Sequence, residues 1–438
     1  MNERDTDEPL LSGLAIDPYY GGSHRDFLDR LAKLSRHRWK LSTGQARFWK
    51  WRMRSFPLQL VDEQLHLVKD GNGTPPSNHQ HKQAERESQS ARVSPTSLSQ
   101  QRIPDGIIVT SMLDLTSYRG FLASKFADHL TTQLVRDQCL ELLQRPTAIY
   151  FHENQLSYPI SPHAKNDAHY GYTNITSAMV ANEIWFNSEF HRDDFLQQAK
   201  SLISRMPDCR HVHNLDELEG KSSVLPPGFN WVGHTPTSEN PNPIHPSLGE
   251  SNFPPITIGW VARWEYDKRP DRFRELLRML DHHAVPFELV LLGPRGKQQD
   301  SLAKIESMYK DRIKISGHAE SIAKYHQALR QIDFVVSTAD HEFFGIGICE
   351  AISAGAVPIL PSKLSYPELA PACCLYDSLD DAVAKIKRYR DPSTRHTLSE
   401  KCQERVMQFR AEASIAKIDD AYEKMVRQAN VNHSSRGK

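Results

Sequence analysis

Glu342 and Glu350 stand eight positions apart in the stretch EFFGIGICE, with Gly345 and Gly347 between them. The apolar run IDFVVSTA at 332–339 reads as a buried strand, and the segment after the glycines reads as a helix. Glu342 then lies in the loop at the strand's carboxyl end, and Glu350 lies inside the helix. The first amides of a helix have no intrahelical partner, so the backbone of Phe344, Gly345, Ile346 and Gly347 is expected to receive an anion such as a phosphate. Two carboxylates beside that anion can accept hydrogen bonds from sugar or ribose hydroxyls. A capped helix carrying two solvated acids is the plainer reading, but the full strand–loop–helix string is more specific than one glutamate next to a glycine.

A second set of charges follows the run ITIGWVAR. In GWVARWEYDKRP (259–270), Arg263 and Lys268 come at and just after a strand end. Two cations there can neutralise a diphosphate leaving group, where charge grows in the transition state. Alone they would read as a surface basic pair; beside the glutamate pair they read as its complement.

The N-terminal half offers further polar groups at strand ends. Gly21 and Gly22 end the run LSGLAIDPYYGG and let a ligand approach the backbone, with His24 in the same turn. The motif HEN at 152–154 follows the apolar run TAIYF, and His152 could hydrogen-bond a transferred sugar or stabilise developing charge. Asn154, Gln155, Tyr170 and Tyr172 are acceptor contacts in this reading, while Asn187 and Ser188 read as structural. A bare glycine turn and a satisfied structural histidine are the alternatives. Between Arg25 and Arg54 lie ten Lys/Arg and two acids, interleaved with Trp39, Phe48, Trp49 and Trp51. Arg47, Lys50, Trp51, Arg52 and Arg54 could grip phosphates and stack splayed bases. By spacing alone, a solvated helix with a buried aromatic face explains this stretch as well.

The elements needed to hold these groups are legible as a rhythm. Strand-like runs at 11–22, 106–111, 147–153, 183–188 and 222–228 alternate with helical stretches, one of them spanning 120–144. After a proline-, serine- and asparagine-rich stretch at 231–255, strand-like runs resume at 256–263, 287–293, 312–317, 332–339, 357–361 and 373–377. This predicts an α/β protein with two doubly wound domains around a cleft: 1–230, a linker at 231–255, and 256–395. A helical stretch at 396–430 follows, and its partner domain is not readable. Residues 69–102 have almost no large apolar side chains and read as a disordered insertion, without a motif.

Composition sets outer limits. A length of 438 residues favours two domains; 39% hydrophobic and 25% charged residues are ordinary for a globular chain. The net charge of zero argues against a polyanion binder as a whole and leaves local patches open. Six scattered cysteines form no CxxC pair and show no metal spacing with the 21 histidines. No apolar run approaches the roughly 18 residues that span a bilayer. The polar start MNERDTDEPL is unlike a secretory leader. A cytoplasmic protein without membrane association is expected.

The Glu342–Glu350 spacing, with Arg263 and Lys268, resembles the family-4 retaining glycosyltransferases. That resemblance implies the GT-B fold, Glu350 on the nucleotide ribose, Glu342 facing the transferred sugar, and Arg263 and Lys268 on the diphosphate. The motifs AIDPYYGGSH (15–24), IYFHENQLSYP (149–159), YGYTNITSAMVANEIWFNSEFHRDDF (170–195) and LPPGF (225–229) resemble a narrower group, the tRNA-queuosine alpha-mannosyltransferases. This implies a nucleotide-sugar donor, GDP-mannose, and an acceptor, the cyclopentenediol of queuosine at the wobble position of tRNA. It also implies retention by front-face displacement, in which the leaving phosphate helps deprotonate the attacking hydroxyl. No cofactor and no metal ion are expected. The competing expectations are a family-4 enzyme with a lipid or polysaccharide acceptor, a sugar-nucleotide epimerase, and a tRNA-binding protein without activity.

Overall fold

The computed structural model describes residues 10–65, 103–159, 167–233, 253–294 and 300–436. The segment 69–102 and most of the expected linker, 234–252, lie outside the described residues.

Twelve strands form two parallel sheets of six among the described residues. The first contains β1 (Ser12–Tyr20), β2 (Arg38–Gln45), β3 (Gly106–Thr110), β4 (Thr147–Phe151), β5 (Glu183–Phe186) and β6 (Ser222–Val224), in the order β2-β1-β3-β4-β5-β6. The second contains β7 (Ile256–Val261), β8 (Phe287–Leu292), β9 (Ile313–Gly317), β10 (Phe334–Val336), β11 (Val357–Pro361) and β12 (Leu375–Tyr376), in the order β12-β11-β10-β7-β8-β9. The central strands are buried end to end, β3, β4, β10 and β11 throughout. Helices therefore cover both faces, which is why these strands read as continuous apolar runs rather than alternating ones. In the second sheet the order reverses between β7 and β10, and in the first between β1 and β3. At such a reversal adjacent connections leave in opposite directions and open a crevice at the carboxyl ends of the strands. The loops with Arg263 and Lys268 follow β7, the Glu342 loop follows β10, and the Gly21–His24 turn follows β1.

The helical stretch expected over 120–144 is two helices, Leu115–Ala127 and Gln133–Gln144. Asp128 leaves the helical region with ψ 115°, and Thr132 caps the second helix by accepting from Val135 N. The basic stretch 25–54 is likewise no single element. It comprises most of helix Ser23–Leu34, the edge strand β2 and the start of helix Trp49–Gln64.

The C-terminal stretch resolves into Pro392–Met407, whose Cys402 and Val406 join the second core, and Ala411–Arg436. This last helix returns to the first sheet, burying Ile415, Ile418, Tyr422, Met425 and Val426 against Phe27, Leu31 and Ile108. Tyr422 Oη donates to Ser12 O at 2.8 Å, and Arg36 meets Asp420 and Glu423 at 2.7 Å each. The chain thus passes between domains twice, and the two passages run side by side. Phe229 N donates to Phe409 O (3.2 Å), and Ala411 N donates to Phe229 O (2.9 Å). Gly228 takes a φ of 75° here, and a side chain would lie 3.0 Å from Ala411 Cα. Beyond that crossing Phe229 and Val232 already belong to the second core.

Candidate active site

The second domain builds its wall from the turn after β7. Lys268 ends a short helical turn, Tyr266–Lys268, and Arg269 follows in the left-handed region at φ 53°. Arg269 is held there by Asp271 (2.7 Å) and Asp340 (2.5 Å), and Pro270 starts the next helix. The strain of a non-glycine residue at this φ is tolerated because the surrounding ion pairs over-determine it. The turn buries Lys268 to 7% exposure. Its Nζ donates to His341 O (2.6 Å) and Glu342 Oε2 (3.2 Å), and lies 3.4 Å from Asp267 Oδ2.

Glu342 sits in the loop after β10, whose carbonyls at Glu342 and Phe344 accept from Ser365 Oγ (3.3 and 3.0 Å). Burial pushes the Glu342 carboxyl up, but the Lys268 ammonium outweighs it and holds the group below the usual carboxylate range. Gly345 precedes helix Ile346–Ser353 with φ 99°, a conformation L side chains rarely take. Gly347 lies against Val261, where a Cβ would stand 3.0 Å from Cγ1. Glu350 accepts from Tyr325 Oη at 2.8 Å, and burial raises its carboxyl to about 7. Arg263 Nη2 donates to Tyr158 Oη of the first domain (2.9 Å), with Glu265 at 3.7 Å.

The first domain supplies an imidazole wall. Gly22 opens helix Ser23–Leu34 at φ 55°, ψ −134°, and Gly21 packs so closely that a side chain would meet Ala46. His24 Nδ1 lies 2.8 Å from Asp17 Oδ2, both buried. Burial opposes protonation of His24, but the Asp17 carboxylate outweighs it and raises the pKa. The His24 ring stands 4.3 Å from the His152 ring. His152 is held well below the ordinary histidine range by burial and then by its cationic neighbours, and its Nε2 is buried without a partner. Neutral His152 beside a cation-favouring His24 gives one hydrogen-bonding and one electrostatic imidazole in the same corner.

Contacts across the cleft bring the two walls together. His191 stacks on Phe343 at 3.8 Å, and its Nδ1 pairs with Asn187 Oδ1 at 2.8 Å. Ser188 Oγ donates to Phe343 O at 2.5 Å. Glu368 accepts from the amides of Glu189 (3.1 Å) and Phe190 (2.9 Å), capping a first-domain helix from the second domain. Tyr158 packs edge-on to His341 at 5.1 Å, and Tyr266 Oη donates to Pro159 O. Of the two residues expected to be structural, Ser188 makes one of these joints directly and Asn187 holds the His191 ring that makes another.

Not every expected residue points into the cleft. Phe344 is core, packed on Phe409 at 5.6 Å, and Ile346 packs against the same core, so both present only backbone. Asn154 is fully buried; its Oδ1 accepts from Leu156 N (2.9 Å) and Ser157 N (3.1 Å), and its Nδ2 reaches Asp194. It shapes the loop after β4. Gln155 Nε2 turns to Glu153 at 3.3 Å. Tyr170 joins the basic patch: its ring lies 5.1 Å from Trp49, with Lys50 at 5.4 Å and Arg54 at 5.6 Å over it. Tyr172 lies apart, near His211. Arg47 sits over exposed Phe48 at 5.9 Å, Trp51 is 69% exposed, Arg52 belongs to the same first helical turns, and Arg54 is 3.6 Å from Asp114. Sequence reading missed Asp17, Tyr158, His191, Tyr325 and His341. Asp17 had a signal, a carboxylate near the end of β1, seven residues before His24; the others become neighbours only through the fold.

The model of the tRNA-queuosine alpha-mannosyltransferase N-terminal family matches residues 12–71 and 77–229. A Drosophila melanogaster tRNA-queuosine alpha-mannosyltransferase is 27% identical over 384 residues, covering 86% of each chain. Among solved structures, Anabaena HepE in complex with UDP and glucose covers 94% of this chain and 99% of its own (TM-score 0.54, 14% identity). Thermosynechococcus elongatus sucrose-phosphate synthase covers 95% and 100% (TM-score 0.59, 13% identity). Both share the two-sheet architecture. The chain is a glycosyltransferase with the GT-B fold, and its N-terminal half is similar to the tRNA-queuosine alpha-mannosyltransferase N-terminal family.

Proposed function

We propose that this enzyme transfers mannose from GDP-mannose to the cyclopentenediol of queuosine in tRNA, with retention of configuration, in the cytoplasm. The observation that carries the donor half is the pair of buried Lys268 with half-buried Glu342 (3.2 Å) beside the helix start at Gly345. In this reading Lys268, Arg263 and the amides at Gly345–Gly347 receive the diphosphate. Glu350, partnered by Tyr325, takes the ribose hydroxyls. Glu342 and neutral His152 contact the sugar, and His24, whose protonation Asp17 favours, stands beside His152 in the same corner. Bond breaking leaves the electron pair on the diphosphate oxygen, and that oxygen accepts the proton of the attacking hydroxyl. The positive side chains and helix amides provide the charge stabilisation, so no metal ion or cofactor is required.

The acceptor half rests on the family likeness of the N-terminal half and on its exposed cationic-aromatic patch. Arg47, Lys50, Arg52 and Arg54 would hold tRNA phosphates while Trp51 stacks on a base. Among the described residues no helix is long and apolar enough to cross a membrane. The test incubates the pure protein with GDP-mannose and queuosine-containing tRNA, with and without EDTA, and analyses nucleosides by mass. Hexose addition that survives EDTA is expected. Addition to a lipid acceptor but to no tRNA would overturn the acceptor assignment, and addition abolished by EDTA would overturn the metal-free mechanism.

A further inference from the structure

Helix Ser23–Leu34 lays Phe27 flat on Tyr150 (ring centroids 4.3 Å apart) and edge-on to His152 (4.9 Å). One turn further on the same face comes Arg30. It is 7% exposed, and its Nε and Nη2 are shut off from solvent without any hydrogen-bond partner. Arginine is rarely buried unless its fork is occupied, because a desolvated guanidinium without acceptors is costly. Burial pulls its pKa down, opposed first by Asp26 and then by Glu350, Tyr150 and Asp29; its charge also reaches His152. Arg30 is therefore within electrostatic reach of the His152 corner in one domain and Glu350 in the other.

The cations of the opposite wall are already engaged. Lys268 is held by His341 O, Glu342 and Asp267, and Arg263 by Tyr158 and Glu265. A ligand suited to the Arg30–Glu350 pair must offer acceptors to a guanidinium and donors to a carboxylate. A nucleoside diphosphate has both: phosphate oxygens for the fork and ribose hydroxyls for the acid. Resting on the donor site proposed above, we propose that Arg30 is a donor-binding residue contributed by the first domain. Its guanidinium hydrogen-bonds phosphate oxygens of a nucleoside diphosphate whose ribose is held by Glu350. The nucleotide then bridges the two domains.

The test compares wild type with Arg30→Met, which keeps an unbranched apolar stem and removes charge and donors. Calorimetric titrations of the full chain with GDP and with UDP measure affinity, and thermal melts measure stability without ligand. Arg30→Met should weaken the nucleotide that wild type binds by about tenfold or more, the loss of one charge-assisted donor. Its ligand-free Tm should equal or exceed wild type, because an unpaired buried charge has been replaced by an apolar side chain. A structural arginine gives the opposite pattern, a lower Tm with unchanged affinity, and that result overturns the proposal. Arg30→Gln provides the same comparison if methionine disturbs the cleft. Wild type binding neither nucleotide removes the donor site itself; wild type and both variants binding equally removes only the role of Arg30.

Discussion

Replacing Lys268 with methionine removes one buried cation and leaves three groups around the gap. His341 O loses a 2.6 Å donor, Glu342 loses its 3.2 Å partner, and Asp267, 4% exposed with no hydrogen-bond donor on either side-chain oxygen, loses its nearest cation. Breaking a buried pair from one side costs about 3–5 kcal/mol, so the variant should unfold at markedly lower urea concentration. The Glu342 carboxyl, now governed by burial, should climb above the usual carboxylate range. Transfer should slow by about 2.7–4 kcal/mol of barrier, the loss of one preorganised donor to the leaving group. The assay is a cycle of Lys268→Met, Glu342→Gln and the double variant, followed by urea unfolding and by mannose transfer to tRNA. Removing both charges together should recover about 1–3 kcal/mol of stability relative to the sum of the single losses. Strictly additive stabilities would refute the coupling, and a near-normal transfer rate in Lys268→Met would remove this lysine from the chemistry.

Three further outcomes are expected. Glu350, raised to about 7 in the fold against an ordinary 4.5, favours the folded state most when protonated. Its contribution is complete below the unfolded value and lost as pH rises through about 7, so Glu350→Gln should gain roughly 3 kcal/mol relative to wild type between pH 4 and pH 8 in urea melts; an unchanged pH slope contradicts this. His24 has its pKa raised by Asp17, so its stabilisation is present below the unfolded value and disappears as pH rises through the folded one. Asp17→Asn should shift the His24 imidazole NMR titration to lower pH, and an unmoved curve would show the pair to be irrelevant. Alanine at Arg47, Lys50 and Arg52 should lower the salt slope of tRNA binding by about 0.7–0.9 per lost phosphate contact, with Arg54 contributing less because Asp114 already holds it at 3.6 Å. A slope identical to wild type assigns the patch to structure.

Much of the architecture lies in local pattern. Runs such as VPILP and FELVLL are apolar throughout because both faces of a parallel sheet are covered, and their positions follow from composition alone. The broken helix at 128–132 was less visible, since capping by Thr132 competes with a helical pattern on both sides by a small margin. The basic stretch at 25–54 looked like one surface, yet it is three elements, because charge density carries no information on chain direction.

The proposed donor-site residues were legible in local pattern: Glu342, Gly345, Glu350, Arg263 and Lys268 belong to two short strand–loop units, where a strand end and the turn or helix start after it place them. Only the tertiary structure decided which of the other polar residues enter the cleft. Asn154 is spent on its own loop and Tyr172 lies apart near His211, while Tyr158 and Tyr325 acquire their partners at separations that no periodicity reports. The return of helix Ala411–Arg436 to the first sheet is of the same kind. Its apolar face would suit either domain, and the paired crossing at Phe229 and Phe409–Ala411 places it on the first.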